Sequence, residues 1–282
     1  MKIVFIGYDY TLDIAQRLIA DGHEIIHMFT FPCDDVFSSN TQINAFAAHF
    51  KISISDHAIT LNDINTLIEK GCEIFLCAGY PKKIPAINTD KAYGINLHPS
   101  LLPRARGIMP LPFIIMHEPE AAGFTVHKMV ENFDAGDILY QEATPIDKHT
   151  DVETLSARVA VRAPNAISTI IKDIKTYWDN ATPQDNDNAS SYNTPDTDMR
   201  HLDWDDTAEN LRLKGRAFGR FGVIAEVTNN MNDTQKLAVF QFTTWEEEHN
   251  HETGTLLRSS PREIIISIQD GYICLKEFQV AE

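Results

Sequence analysis

The sequence predicts an α/β protein, with a larger N-terminal domain on a mostly parallel sheet and a smaller, β-barrel-like domain after it. Three observations predict this. Through residue 175 or so, short apolar runs alternate with amphipathic stretches, the pattern of repeated βαβ units. A tract rich in Asn, Asp, Ser, Thr and Pro then interrupts the chain at 179–198. Beyond it the apolar runs are short and divided by polar turns, which suits a small barrel or sandwich.

Taken in order, 2–6 is a buried first strand, and the turn-prone Gly7-Tyr8-Asp9 follows it. Residues 13–20 form a helix that Asp21-Gly22 stops, and 24–30 is the second strand. Helices are expected at 41–50 and 61–70. The run 73–78 is apolar enough for a sheet centre, and 91–97 is a strand leading straight into His98-Pro99. A loop from Arg106-Gly107 reaches a helix at 111–117. Strands at 123–130 and 137–144 flank a turn at 132–136, giving an antiparallel or crossing pair. Residues 151–177 read as one long helix with Thr150 as N-cap and Glu153 three residues on, and Pro164 is expected to kink or split it. A helix at 205–218 and strands at 223–228, 237–242, 254–258, 264–269 and 272–280 complete the chain. The first domain thus spans 1–180 and has a Rossmann-like plan; 181–199 is a linker too polar to order itself by burial, and 200–282 is the small β-rich domain.

Composition narrows the function. The 282 residues carry 40 acidic and 24 basic side chains, a formal charge of −16. A nucleic-acid binder needs a basic face to displace counterions from phosphates, so a nucleic-acid partner is not expected. No apolar stretch approaches the roughly 20 residues that span a bilayer, so no membrane partner is expected either. The N-terminus reads as a strand rather than a signal peptide, which makes a cytoplasmic location the expectation. The four cysteines are widely spaced without a C-x-x-C, so neither a disulfide framework nor a metal site is expected.

The residues that suggest chemistry are Asn96-Leu97-His98-Pro99-Ser100-Leu101-Leu102-Pro103 and, further on, Asp134-Ala135-Gly136-Asp137. Ligands of open α/β sheets sit beyond the carboxyl ends of strands, where Asn96 and His98 leave the sheet. Two residues apart on an extended segment, their side chains share a face. An amide beside an imidazole suits acyl transfer. The amide donates to a developing oxyanion, the imidazole shuttles the proton, and a nearby carboxylate raises the imidazole pKa and fixes its orientation. Taken alone, Asn-x-His at a strand end serves equally as a cap, and Asp-Ala-Gly as a plain turn.

The order and content of the whole block add to this. INLHPSLLPRARGIMP followed by GFTVHKMVENFDAGDILYQ resembles the formyltransferases that use 10-formyltetrahydrofolate, in which Asn-x-His-x-Ser-Leu-Leu-Pro and Asp-x-Gly-Asp carry the catalytic triad. The resemblance implies that Asn96 stabilises the oxyanion and that His98 is the general acid/base. Asp134 then raises the His98 pKa and positions the proton-transfer water, and Asp137 only supports. It implies 10-formyltetrahydrofolate as co-substrate, with Gly79, Tyr80, Pro81, Ser100, Leu101, Leu102, Pro103 and Val130 forming its site, and no metal. The stretches His201-Leu202-Asp203-Trp204, Arg216-Ala217-Phe218 and Phe221-Gly222 resemble the entry into the family's C-terminal barrel, and a homodimer is the oligomer the resemblance suggests.

Family members differ in acceptor. Methionyl-tRNA formyltransferases are similar over both domains but carry a Lys/Arg-rich loop after the second strand. Here that region is FPCDDVFSSNTQINAF, with Asp34 and Asp35 and no Lys or Arg before Lys51. Glycinamide ribonucleotide formyltransferases are usually single-domain. Sugar N-formyltransferases, which act on nucleotide-linked amino sugars (dTDP, UDP or GDP), resemble this chain best, at Tyr8-Asp9-Tyr10 and Met28-Phe29-Thr30-Phe31. By that resemblance Tyr8, Asp9 and Tyr10 contact the nucleotide sugar, and Lys82 or Arg106 lies near its diphosphate. Ile108 stands where an aminoarabinose-modifying relative has an arginine, so not every ligand contact carries over. The alternatives are a methionyl-tRNA formyltransferase and a binding protein that kept the fold without the chemistry.

Overall fold

The computed structural model describes residues 1–33, 38–196, 198–229, 231 and 233–281. Asp34 and Asp35, read above as an acidic substitute for a basic loop, lie outside the described residues. The chain divides into two compact units. One comprises Met1–Pro110, Glu120–Pro145 and Ser156–Asn193; the other comprises Leu111–Pro119, Ile146–Leu155 and Thr194–Glu282.

The first unit is built on a sheet of β1 (Lys2–Ile6), β2 (Glu24–Phe29), β3 (Ile54–Ser55), β4 (Ile74–Ala78), β5 (Tyr93–His98), β6 (Gly123–Lys128) and β7 (Ile138–Ala143). Their spatial order among the described residues is β3-β2-β1-β4-β5-β6-β7. Pairing is parallel from β3 across to β5 and antiparallel through β6 and β7. This is a Rossmann-like order whose direction of growth reverses between β1 and β4, the crevice where such sheets bind ligands.

All five positions of β4 are buried, because successive side chains enter opposite covered faces. Ile74, Leu76 and Ala78 join Ile3, Phe5, Ile95 and Leu97 on one face. That face is covered by α1 (Leu12–Ala20), α2 (Thr41–Phe50) and α5 (Val152–Lys172) through Leu18, Ala47, Val159 and Ile167. Phe75 and Cys77 join Val4 and Ile6 on the other face, under Ile64 and Leu67 of α3 (Leu61–Glu69). Burial pushes the Cys72 and Cys77 thiols up to about 12, which leaves them as small apolar fillers rather than nucleophiles.

Two expectations for the long helix are corrected. Pro164 sits inside α5 without ending it, and the break comes at Asp173, before α6 (Ile174–Asp179). The N-terminal cap is Asp151, whose Oδ1 accepts from Thr154 N at 2.7 Å, while Thr150 turns its hydroxyl to Asp147 Oδ1. The tract after α6 contains too little apolar surface for a core of its own, and hydrogen bonds order it instead. Ile138 and Thr182 exchange backbone bonds, and Ser191 bridges to Arg106.

In the second unit, α4 (Pro110–Met116) precedes α7 (Ala208–Phe218), which is capped by the Thr207 side chain accepting from Asn210 N. Five strands follow: β8 (Val223–Thr228), β9 (Thr234–Glu246), β10 (Leu256–Ser260), β11 (Glu263–Ile268) and β12 (Gly271–Val280). They form a curled antiparallel half-barrel in the order β10-β11-β12-β9-β8 among the described residues. No helix among the described residues is long and apolar enough to cross a membrane.

Candidate active site

The carboxyl end of β5 supplies Asn96 and His98. Alternation along the strand sends Ile95 and Leu97 into the core, so Asn96 and His98 share the opposite face. The antiparallel register with β6 sets Asn96 opposite His127 and His98 opposite Thr125. The turn between β6 and β7 then carries Asp134 back over this face.

His98 is buried, with its Nε2–H directed at Ala105 O at 2.8 Å. That bond leaves Nδ1 as the basic nitrogen, 3.5 Å from Asp134 Oδ1. Asp134 Oδ2 accepts from Gly107 N at 2.9 Å. Asn96 Nδ2 reaches His127 Nε2 at 3.0 Å and Asp134 Oδ1 at 3.4 Å, and His127 Nδ1 donates to Lys128 O at 2.8 Å. The amide, the imidazole and the carboxylate from two distant stretches therefore meet in one cluster. Of the two Asn96 contacts, the long one to Asp134 is the weaker, and it is the donor most easily released to an incoming oxyanion.

Burial disfavours the imidazolium and holds His98 below the usual histidine range, although Asp134 and the bond to Ala105 pull the other way. Burial also opposes charge on Asp134. The facing His98 and His127 imidazoles and the Gly107 N–H outweigh it, and bring the carboxyl down to about 2. At neutral pH the pair is thus a neutral base beside a fixed negative charge that stabilises it once protonated.

Two backbone features shape the cluster. Ala105 and Asp134 both adopt left-handed conformations, at φ 52° and 53°. Gly136 must lack a side chain, since a Cβ there would stand 1.9 Å from Lys128 O.

The other sequence candidates divide. Gly79, at φ 81°, follows β4 at the reversal of strand order, with the Tyr8 ring packed over it; Tyr8 also lies 5.6 Å from Phe31 and 6.2 Å from Tyr10, centroid to centroid. Tyr80 is buried, Pro81 half-buried and Lys82 exposed on the same loop, and Val130 is exposed after β6. Leu101 and Pro103 are half-buried, but Ser100 and Leu102 turn inward: the Ser100 hydroxyl donates to Arg104 O, and Leu102 N donates to Thr125 Oγ1. Asp9 turns toward the protein rather than the loop surface. Both its oxygens hold the start of α2, accepting from Ser39 Oγ, Gln42 N and Ile43 N at 2.8–3.0 Å. Arg106 donates to the Gln184 and Asn186 side-chain oxygens. Among the described residues no group of three or more His, Cys, Asp or Glu side chains is arranged to hold a metal ion.

Sequence reasoning missed His127 and Gln184. The alternation Phe124-Thr125-Val126-His127 places His127 on the face of Thr125, but only the register with β5 puts it against Asn96. Nothing local in the polar tract distinguishes Gln184.

The formyl transferase family pattern matches residues 38–171, and the formyl transferase C-terminal domain matches residues 196–282. The chain belongs to the formyltransferase family. A methionyl-tRNA formyltransferase from Caldicellulosiruptor saccharolyticus is 27% identical to it over 99% of this chain and 92% of the relative. Among solved structures, WlaRD, a sugar 3N-formyl transferase in the presence of dTDP and 5-N-formyl-THF, superposes with a TM-score of 0.66 at 19% identity, over 100% of this chain and 99% of that one. HypX from Aquifex aeolicus in complex with tetrahydrofolic acid gives 0.68 at 17% identity. It is covered by all of this formyltransferase, which spans only 44% of the longer protein's length.

Proposed function

We propose that this formyltransferase moves a formyl group from 10-formyltetrahydrofolate to the amine of a nucleotide-linked amino sugar. The observation that carries the chemistry is the convergence of Asn96, His98 and Asp134, with His98 Nδ1 3.5 Å from Asp134 Oδ1. The amine attacks the formyl carbon, forming a new C–N bond while the bond to N10 of the folate breaks. Asn96 donates to the carbonyl oxygen as it gains charge. His98 takes the amine proton at Nδ1, where Asp134 stabilises the imidazolium, and returns it to N10 as tetrahydrofolate leaves. Gly79–Pro81, Leu101, Pro103 and Val130 line the folate site by this reading. Gly79, exposed with the Tyr8 ring packed beside it, and the exposed Val130 suit a flat heteroaromatic ring and its linker.

The acceptor assignment rests on charge. No Lys or Arg occurs between Arg17 and Lys51, where a tRNA grip would be needed, and the chain carries −16 overall. Tyr8, Tyr10, Lys82 and Arg106 are then the groups that meet base, sugar and diphosphate. WlaRD and an N-formyltransferase from Helicobacter canadensis in complex with folinic acid and dTDP-3-aminofucose supply the analogy. One observation favours a second reading, methionyl-tRNA as acceptor: the similarity to the Caldicellulosiruptor enzyme runs over nearly the whole chain.

A panel assay decides between them, pairing the folate donor with dTDP-, UDP- and GDP-linked amino sugars and with methionyl-tRNA, and following tetrahydrofolate release. Turnover with at least one amino sugar is expected. Efficient formylation of the tRNA alone overturns the sugar assignment, and no turnover with any amine overturns formyl transfer itself.

A further inference from the structure

We infer that the polar segment 184–192 is a strap that positions the reaction centre, with Gln184 and Ser190 as positioning residues; this rests on the formyl-transfer reading above. Gln184 uses its whole hydrogen-bonding capacity on the site. Its Nε2 donates to Asp134 O and Gly136 O, both at 2.7 Å. Its Oε1 accepts from Arg106 Nε at 3.1 Å and Nη2 at 2.6 Å. Ser190 Oγ accepts from Ala105 N at 2.7 Å, and Ala105 O is the group that receives the His98 Nε2–H.

Backbone pairing closes the strap onto the loop. Arg106 N donates to Ser190 O at 3.0 Å and Tyr192 N to Arg106 O at 2.9 Å. At Gly107 a Cβ would stand 2.0 Å from Tyr192 O, so the loop and the strap fit only around a glycine. The two residues in left-handed backbone without being glycine at this site, Ala105 and Asp134, are the two the strap holds. One bears the acceptor that orients His98, and the other carries the carboxylate facing it. The strap also fixes Arg106 through amide oxygens alone, so the guanidinium is oriented without being neutralised and keeps its charge for an anionic group of the acceptor.

Four variants of the full chain test this: Gln184→Leu, Gln184→Glu, Ser190→Ala and Ser190→Thr. Gln184→Glu preserves shape and the grip on Arg106 but cannot donate to the two carbonyls. The expected result for Gln184→Leu and Gln184→Glu is a fall in kcat of about 10- to 100-fold, the scale of a misplacement near 1 Å, with KM for 10-formyltetrahydrofolate within about twofold of wild type. In Gln184→Leu the acid limb of the kcat–pH profile should also move to lower pH, because a loosened Asp134 supports the imidazolium less; in Gln184→Glu the added negative charge opposes that shift, so kcat is its readout. Ser190→Ala should lower kcat, and Ser190→Thr, which keeps the hydroxyl, should recover most of it. Wild-type kcat in both Gln184 variants, with a wild-type pH limb in Gln184→Leu, overturns the strap. So does a loss that tracks only a lower Tm while the pH limb stays in place. Asn96→Ala and His98→Ala run in parallel: if they turn over normally, formyl transfer through these residues fails and the strap with it, whereas if they are inactive and the strap variants normal, only the strap fails.

Discussion

His98 illustrates how one side chain is tuned by what surrounds it. Its Nε2–H is committed to Ala105 O, its Nδ1 faces Asp134, and burial disfavours its charged form. Replacing His98 or Asn96 with Ala should lower kcat by about 10²–10⁴-fold in a chain that still folds by circular dichroism, since general acid–base and oxyanion contacts are each of that order. In the proposed mechanism the neutral imidazole is the base, so kcat/KM should fall as pH drops through the His98 pKa. Because that pKa is lowered, the acid limb should lie below the ordinary histidine value of 6.5. Asp134 gives a matching stability signature. Its pKa in the folded chain is about 2 against an ordinary 3.8, so its contribution is complete above pH 4 and is lost as pH falls toward 2. That contribution is about 2 kcal/mol, and Asp134→Asn, which suits the same left-handed backbone, should remove it from an acid-denaturation curve.

At the scale of elements, residues set the type of structure and neighbours set its limits. The strand β4 was legible because an uninterrupted apolar run such as Ile74–Ala78 suits a strand covered on both faces. The ends of α5 were not. Thr150 and Asp151 are both good caps, and which one serves depends on Asp147 offering Thr150 a partner. Pro164 was expected to kink or split the helix, yet α5 continues through it with Ala163, Ala166, Ile167 and Ile170 buried against the sheet. The proline still lacks an N–H and crowds the preceding turn. Pro164→Ala should therefore raise Tm by several degrees, reflecting about 1–3 kcal/mol, with turnover unchanged. A lower Tm would mean that the ring makes packing contacts worth more than the missing bond.

For the molecule as a whole, the charge of −16 makes a distinct prediction about partners. A grip on 6–10 tRNA phosphates would weaken by about 10³–10⁵ between 50 and 200 mM salt. With a nucleotide sugar, whose diphosphate offers far fewer charges, KM for the acceptor should rise by less than about tenfold over the same range. A steep salt dependence in a steady-state titration would favour the tRNA.

By itself the sequence determined the α/β class, the exit of Asn96 and His98 from a central strand, and the family, because these depend on local periodicity and on motifs whose members lie close together. Only the tertiary structure decided that Asp9 holds the start of a helix, that His127 backs Asn96, and that a tract poor in apolar residues reaches back to hold Ala105, Arg106 and Asp134. Each of these is a polar contact between residues far apart in the chain. Hydrophobic burial leaves a periodic trace in sequence, but a hydrogen bond between distant groups leaves none until register and loop geometry bring donor and acceptor within 3 Å or so of one another.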